Sequence, residues 1–282
     1  MKVVALPGGL GRLDDDGSVA ELDLAAGSLA GILGACTGPA EARDLLARAA
    51  VRAVHAPDEA APSSVVGPGA SVWGIGLNYR SKQEATGRAL PAMPTLFIKS
   101  PAAVVDPGRP IVLPGASEAV DLEAEMAVVV GAHLYEADLL TANAAVFGIA
   151  AANDVTARDV MRRTGNPSLA KSYPSFGQFG GVLATRDELG DLGQVAVRSW
   201  VDGELWQSDT SAGLLHGVGE LLSLLSHHVV LRPGDVVLTG TPAGTGDERR
   251  RYLAAGSTVA VAVGDLPPLV ADVVGVPSTV DA

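Results

Sequence analysis

The sequence predicts an α+β fold, rich in β-structure, with a small N-terminal subdomain. Three observations point there. Val195-Ala-Val-Arg-Ser-Trp-Val201 and Glu204-Leu-Trp-Gln207 flank Asp202-Gly203, a pair suited to a hairpin turn whose central residues both need φ > 0. Runs of small and β-branched residues close on glycine, as in Met126-Ala-Val-Val-Val-Gly131. Clear helical spacing beyond residue 65 is confined to one segment, in which Leu214, Val218, Leu221, Leu222 and Leu225 share a face, with Ser211 or Asp209 as candidate caps.

In chain order, a strand is expected near Lys2 to Leu6, a turn around Asp14-Asp-Asp-Gly17, a further strand, and a helix from Ala40 to Val51. Ala56-Pro-Asp-Glu-Ala-Ala-Pro-Ser-Ser64 reads as a linker because proline and polar residues crowd it. Residues 1–65 are therefore assigned to the subdomain and linker, and residues 66–282 to the main domain. Val120-Asp-Leu-Glu-Ala-Glu-Met-Ala-Val-Val-Val-Gly131 reads as one strand, and Val146-Phe-Gly-Ile-Ala-Ala-Ala152 as a buried strand running up to Asp154.

Composition excludes several classes. With 282 residues, 48% of them hydrophobic, the chain has ample material for a core. A formal charge of −12 repels nucleic acid and anionic membrane alike. The single cysteine, Cys36, excludes an intrachain disulfide and a cysteine-based zinc site. Ala144 to Ala152 is the longest apolar stretch, far short of a bilayer span, and Pro7 interrupts the N-terminal apolar segment too early for a signal peptide. A cytoplasmic protein is expected.

Three acidic residues carry the chemistry. Glu123 and Glu125 lie two apart on the predicted strand and so share a face, where two close carboxylates repel unless a cation sits between them. Asp154 ends a buried strand, a place where a carboxylate pairs or binds metal. An all-oxygen donor set selects a hard divalent ion, Mg²⁺ or Mn²⁺, with Ca²⁺ also within its range.

These residues, with Ala152-Asn-Asp-Val-Thr-Ala-Arg-Asp159, Gly76-Leu-Asn-Tyr-Arg80, Pro94-Thr-Leu-Phe-Ile-Lys99, Lys171-Ser-Tyr173 and Leu231-Arg-Pro-Gly-Asp-Val-Val-Leu-Thr-Gly-Thr-Pro-Ala-Gly244, resemble the fumarylacetoacetate hydrolase family over roughly residues 70 to 275. The resemblance implies a mixed β-roll, a homodimer, and one Mg²⁺ or Mn²⁺ held by Glu123, Glu125 and Asp154. It places Lys171 beside the ion to stabilise an enolate, Arg158 against a substrate carboxylate, and Thr241 against the same end through its hydroxyl and backbone N–H. Tyr79 and Gln207 match pocket-lining positions.

The departures from the family pattern bear on the reaction. Hydrolases of the family usually carry Asn-Tyr-x-Asp-His-x-x-Glu, whose His and Glu activate water from a short lid helix. Here the run is Asn78-Tyr-Arg-Ser-Lys-Gln-Glu-Ala85, with Lys82 at the His position and Ala85 at the Glu position. An unshifted lysine is protonated and a poor base, although burial beside a cation can depress its pKa, and a lysine in such a polar stretch is ordinarily solvated. Met161 replaces a glutamine that could orient water, and Pro174 stands where an acid is common. The expected function is a divalent-metal-dependent enzyme acting on an enolisable 1,3-dicarbonyl or 2-oxo acid by carbon–carbon cleavage, decarboxylation or tautomerisation. The alternatives are a cyclase or isomerase of specialised metabolism, and a non-catalytic binder that retains the metal.

Other motifs carry less. Gly74-Ile-Gly-Leu-Asn-Tyr79 has Tyr79 where a dinucleotide fingerprint needs glycine, and Gly240-Thr-Pro-Ala-Gly-Thr-Gly246 lacks the Lys of a phosphate loop. His227-His228 reads as a helix end, and Arg249-Arg-Arg251, preceded by Asp247-Glu248, as a solvated loop, with the pocket mouth as its alternative place.

Overall fold

Small and β-branched residues build the centre of the molecule. In the computed structural model, which describes residues 1–57 and 59–276, a sheet of 11 strands forms its spine. From one edge the order is Val51–His55, Val19–Leu22, Gly9–Leu13, Lys2–Leu6, Gly177–Thr185, Val146–Asp154, Ala124–Val130, Val236–Leu238, Val72–Gly76 and Thr95–Lys99, with Val104–Val105 added beside Gly177–Thr185. The N-terminal strands extend this sheet, since Lys2, Val3 and Val4 pair antiparallel with Ala184, Leu183 and Val182. A five-stranded sheet runs Glu204–Thr210, Ala196–Val201, Thr258–Val263, Leu269–Val274, Ile111–Val112.

Every residue of Ala124–Val130 and Val146–Asp154 is buried, so both strands read as unbroken apolar runs instead of alternating ones. Period-two geometry still sorts their side chains. Met126, Val128 and Val130 pack toward Leu221, Leu222 and Leu225 and the five-stranded sheet, while Ala127 and Val129 pack toward Leu29, Ile32, Leu33 and Leu46. Gly148 is required where strands approach closely, since a Cβ there would lie 2.3 Å from the carbonyl oxygen of Ala184.

Several expectations are corrected. The segment 120–131 is two strands, not one: Val120–Asp121 pairs with Thr156–Ala157, and Ala124–Val130 enters the large sheet, leaving Glu123 in the break. The helix expected from Ala40 spans Pro39–Arg48, with proline pre-set for its first turn, and the chain then extends into the edge strand Val51–His55. Leu29–Ala35 is a further helix without a strong periodic signal. The helix of the main domain begins at Val218 behind Gly217, whose N–H donates to the Glu220 carboxylate at 2.9 Å. Leu214 precedes it. The proposed caps serve elsewhere: Asp209 accepts from the Ser81 hydroxyl at 2.6 Å, and the Ser211 hydroxyl accepts from the Val195 N–H at 2.9 Å. The Asp202-Gly203 turn is as expected, with φ of 52° and 80°. Among the described residues no helix is long and apolar enough to cross a membrane.

Candidate functional site

Strand pairing assembles the acidic residues. Glu125 lies opposite Ala152 and Ala124 opposite Asn153, which brings the start of one strand to the end of the other. The break at Glu123 is pinned on both sides: the side-chain oxygen of Asn153 accepts its N–H at 2.9 Å, and its carbonyl accepts the N–H of Asp154 at 2.9 Å. One oxygen each from Glu123, Glu125 and Asp154 then lies within 4.8 Å of the others, and all three residues are buried.

Two buried lysines and an arginine surround the cluster. The Lys171 ammonium sits between Glu123 and Asp154, 2.6 Å from Glu123 Oε2, and donates to the Thr156 hydroxyl at 2.8 Å. Lys99, fully buried, lies 2.7 Å from Asp154 Oδ1 and donates to the carbonyl of Phe176 at 3.0 Å. Arg158 donates through Nε to Asp121 at 2.7 Å and places Nη2 2.6 Å from Glu123 Oε1. Asp121 is wholly buried and also accepts the N–H groups of Gly246 at 2.6 Å and Asp247 at 3.0 Å.

These contacts divide the two glutamates. Burial opposes the charge on Glu123, but Arg158, Lys171 and Lys82 outweigh it and hold the carboxyl below the ordinary range. Glu125 goes the other way. Burial, Asp154 and Glu123 push its pKa well up, against a smaller pull from Lys171 and the Gly240 N–H, which donates at 2.7 Å. Burial lowers the Lys99 pKa, whereas in Lys171 the carboxylates of Asp154 and Glu123 outweigh burial and raise it.

A divalent cation fits this set. Four buried carboxylates, Asp121, Glu123, Glu125 and Asp154, face three buried cations, Lys99, Arg158 and Lys171. Among the described residues Glu125 is the member without a cationic contact, and it accepts the Gly240 N–H instead. Oxygen-only donors with surplus negative charge suit a hard divalent ion.

A cavity of about 470 Å³ opens onto the cluster, with Lys82, Glu123, Glu125, Arg158, Lys171 and Thr241 on its wall. Met161 also lines it. A larger hollow of about 990 Å³ lies beside the segment 63–70, but Asp106 and Arg109 are its only charged lining among the described residues.

The remaining expected residues fall in different places. Lys82 is buried, not solvated: on helix Arg80–Thr86 its ammonium lies 2.7 Å from the Thr245 hydroxyl and 2.5 Å from Glu248 Oε1. Arg249, Arg250 and Arg251 are exposed as expected, but Gly246–Arg249 is a short helix that turns the preceding Glu248 inward, while Asp247 meets Arg162 at 2.5 Å. Thr241 lines the cavity, but its hydroxyl donates to the Ala124 carbonyl at 2.8 Å. Gln207 stands behind it, donating to the Thr241 hydroxyl at 2.8 Å and to the Pro242 carbonyl at 2.7 Å, and accepting from Ala124 N–H at 3.0 Å. Tyr79 is fully buried away from the cavity wall, and burial followed by Glu125 and Asp209 raises its pKa. His227 closes its helix as expected, with Nδ1 2.7 Å from the Ser223 carbonyl. Sequence reasoning gave Asp121, Lys99 and Glu248 no role. Asp121 had a readable signal, because it continues the two-residue spacing of Glu123 and Glu125.

Comparison with known proteins places the chain in a family. Residues 71–274 match the family model for the fumarylacetoacetate (FAA) hydrolase C-terminal region. Rat (Rattus norvegicus) mitochondrial oxaloacetate tautomerase Fahd2a is 36% identical over 180 residues, which cover 62% of this chain and 56% of that protein, little more than half its length. Fumarylacetoacetate hydrolase from Exiguobacterium antarcticum superposes with a TM-score of 0.83 at 27% identity, covering 98% of this chain and 99% of that one. 5-Carboxymethyl-2-hydroxymuconate delta-isomerase from Mycobacterium smegmatis superposes with a TM-score of 0.77 at 26% identity, covering 99% and 100%.

Proposed function

The chain belongs to the fumarylacetoacetate hydrolase family of enzymes, and from that premise we propose that it is a tautomerase of enolisable 2-oxo acids or 1,3-dicarbonyls that uses Mg²⁺ or Mn²⁺. The observation that carries the reading is the meeting of Glu123, Glu125 and Asp154 with Lys171 and Arg158 on one cavity wall. When bound, the ion supplies charge that polarises both oxygens of a chelating substrate and favours its enolate.

The chain's own groups do the rest. Lys171, fixed by Glu123, Asp154 and Thr156, holds a buried ammonium where negative charge develops on a substrate oxygen, at no cost of reorganisation. Arg158 has part of its fork committed to Asp121 and Glu123, and its remaining edge presents a planar donor pattern to a carboxylate. Gln207 positions Thr241 at the cavity floor. The wall bears Met161 and Lys82 in place of water-orienting side chains, which favours proton transfer over hydrolysis. The activity in the name of the rat relative, oxaloacetate tautomerase, supports the same class.

The test follows the enol of oxaloacetate by its ultraviolet absorbance with the purified protein, in Mg²⁺ or Mn²⁺ and in chelator. Metal-dependent acceleration of ketonisation is expected. Bound metal without acceleration, together with release of pyruvate from acylpyruvates, would move the protein to the carbon–carbon cleaving members.

A further inference from the structure

A tautomerase needs a side chain that gives a proton to carbon and takes one from oxygen. In Lys171 all three N–H bonds are engaged, by Glu123, Asp154 and Thr156. Thr241 donates to a backbone carbonyl. The arginines on the wall do not exchange protons at working pH, and no histidine, cysteine or tyrosine lines the cavity among the described residues.

Asp247, the carboxylate of the wall outside the ligand cluster, is paired with Arg162 at 2.5 Å and accepts the Tyr252 hydroxyl at 3.0 Å, which leaves Lys82. Its ammonium carries three donors, of which Thr245 and Glu248 take two, and it lines the cavity together with Glu123, Glu125 and Thr241. Its holder is a built one. Thr245 is wholly buried, and the Gly244 N–H fixes the second oxygen of Glu248. Gly244 itself cannot be replaced without disturbance, because φ is +102° and a Cβ would lie 2.1 Å from the carbonyl oxygen of Trp206. Two elements distant in sequence, Arg80–Thr86 and Gly246–Arg249, thus meet at one lysine.

We propose that Lys82 is the proton carrier of this site, with Glu248 and Thr245 as its positioning residues; the proposal rests on the tautomerase reading above. In the enol-to-keto direction the C=C π pair forms the new C–H bond with a proton from the Lys82 ammonium. The O–H pair of the enol becomes the C=O π bond, and the proton it releases passes to the Lys82 amine that the first transfer leaves behind. Nothing is oxidised or reduced, and no co-reactant is consumed.

Three measurements test it on the full-length protein: ketonisation of oxaloacetate enol, deuterium incorporation at C3 of 2-oxobutyrate by proton NMR, and Mn²⁺ binding by electron paramagnetic resonance. Lys82→Arg, which keeps charge and hydrogen bonds, is expected to lose about 100-fold or more in both rates, with Mn²⁺ binding unchanged. Lys82→Ala is expected to regain exchange on addition of ethylamine, in proportion to the free amine. Glu248→Gln is expected to displace the pH profile of kcat more than KM. Lys82→Arg exchanging at the wild-type rate, or Lys82→Ala binding Mn²⁺ but deaf to ethylamine, overturns the proposal alone. Wild-type protein that binds Mn²⁺ and neither ketonises nor exchanges overturns the tautomerase reading and this proposal together.

Discussion

Replacing Asp121 by asparagine isolates the one buried carboxylate of the site that has no place in the ligand cluster. Three donors converge on it: Gly246 N–H on Oδ1 at 2.6 Å, and Arg158 Nε and Asp247 N–H on Oδ2 at 2.7 and 3.0 Å. Asparagine offers one acceptor oxygen. Set toward Arg158 and Asp247, it turns its NH₂ onto the Gly246 N–H, donor against donor. The change removes one charge-assisted hydrogen bond, about 1.5–3 kcal/mol, and half of the compensation for a buried guanidinium, for which a broken buried pair costs about 3–5 kcal/mol when nothing replaces it. Because Glu123 still faces Arg158 at 2.6 Å, the sum settles at the low end, about 3 kcal/mol.

Two assays read this. Thermal unfolding of the metal-free protein should show that loss, a shift in midpoint temperature of roughly 6–12 °C for a chain of this size. KM for a 2-oxo acid should rise more than kcat falls, since Arg158 loses its anchor while Lys171 keeps all its partners. A variant within about 0.5 kcal/mol of wild type, with KM unchanged, would refute the view that Asp121 holds Arg158 in place.

Other predictions follow from the same geometry. Glu125→Ala should abolish Mn²⁺ binding while leaving the metal-free protein as stable as before or more so, since it deletes a buried carboxyl without a cationic partner; unchanged metal content in folded protein would show the ligand set to be wrong. Burial raises the Asp247 pKa, but the Tyr252 hydroxyl, Arg158 and Arg162 outweigh it and hold the group below its ordinary value. A carboxyl depressed in the folded state contributes stability above its unfolded pKa and loses it as pH falls through the folded one. Asp247→Asn should therefore flatten the acid limb of the stability profile, measured by thermal unfolding at a series of acid pH values. Lys82→His alone should leave acylpyruvate hydrolysis absent, because Ala85 provides no carboxylate, Glu84 is one residue out of register and exposed, and Glu248 is set to meet an ammonium; appearance of pyruvate would show that the imidazole suffices.

What was legible in the sequence is what local pattern and burial dictate. The strands that carry Glu125 and Asp154 are continuous apolar runs, and a carboxylate at the end of such a run has few uses, so the triad could be read without coordinates. The Asp202-Gly203 hairpin announced itself through its turn chemistry. Leu29–Ala35 and Val51–His55 did not, because the one is short and rich in glycine and alanine, and the other is an edge strand with Val51 and Val54 exposed. Their conformations follow from what they pack beside.

The helix Arg80–Thr86 illustrates the limit more sharply. Ser81-Lys82-Gln83-Glu84 and Asp247-Glu248-Arg249 each look like solvated surface, yet Lys82 is buried and Glu248 turns inward because they meet, with Lys82 and its partner Thr245 163 positions apart in the chain. A periodic pattern records which face an element buries, but not which distant charge it meets. The charge count supplies what the pattern lacks. Lys82 with Glu248 and Arg162 with Asp247 are neutral pairs, so the excess of the site resides in four carboxylates against three cations. A divalent ion converts that deficit of one into a surplus of one, which a single substrate carboxylate or enolate balances. A second anionic group on the substrate would have to reach beyond these pairs, to the exposed Arg88 on the cavity wall. Arg88→Ala should consequently raise KM for a dicarboxylic 2-oxo acid and leave that for a monocarboxylic one unchanged, and equal KM changes for the two would refute this charge assignment.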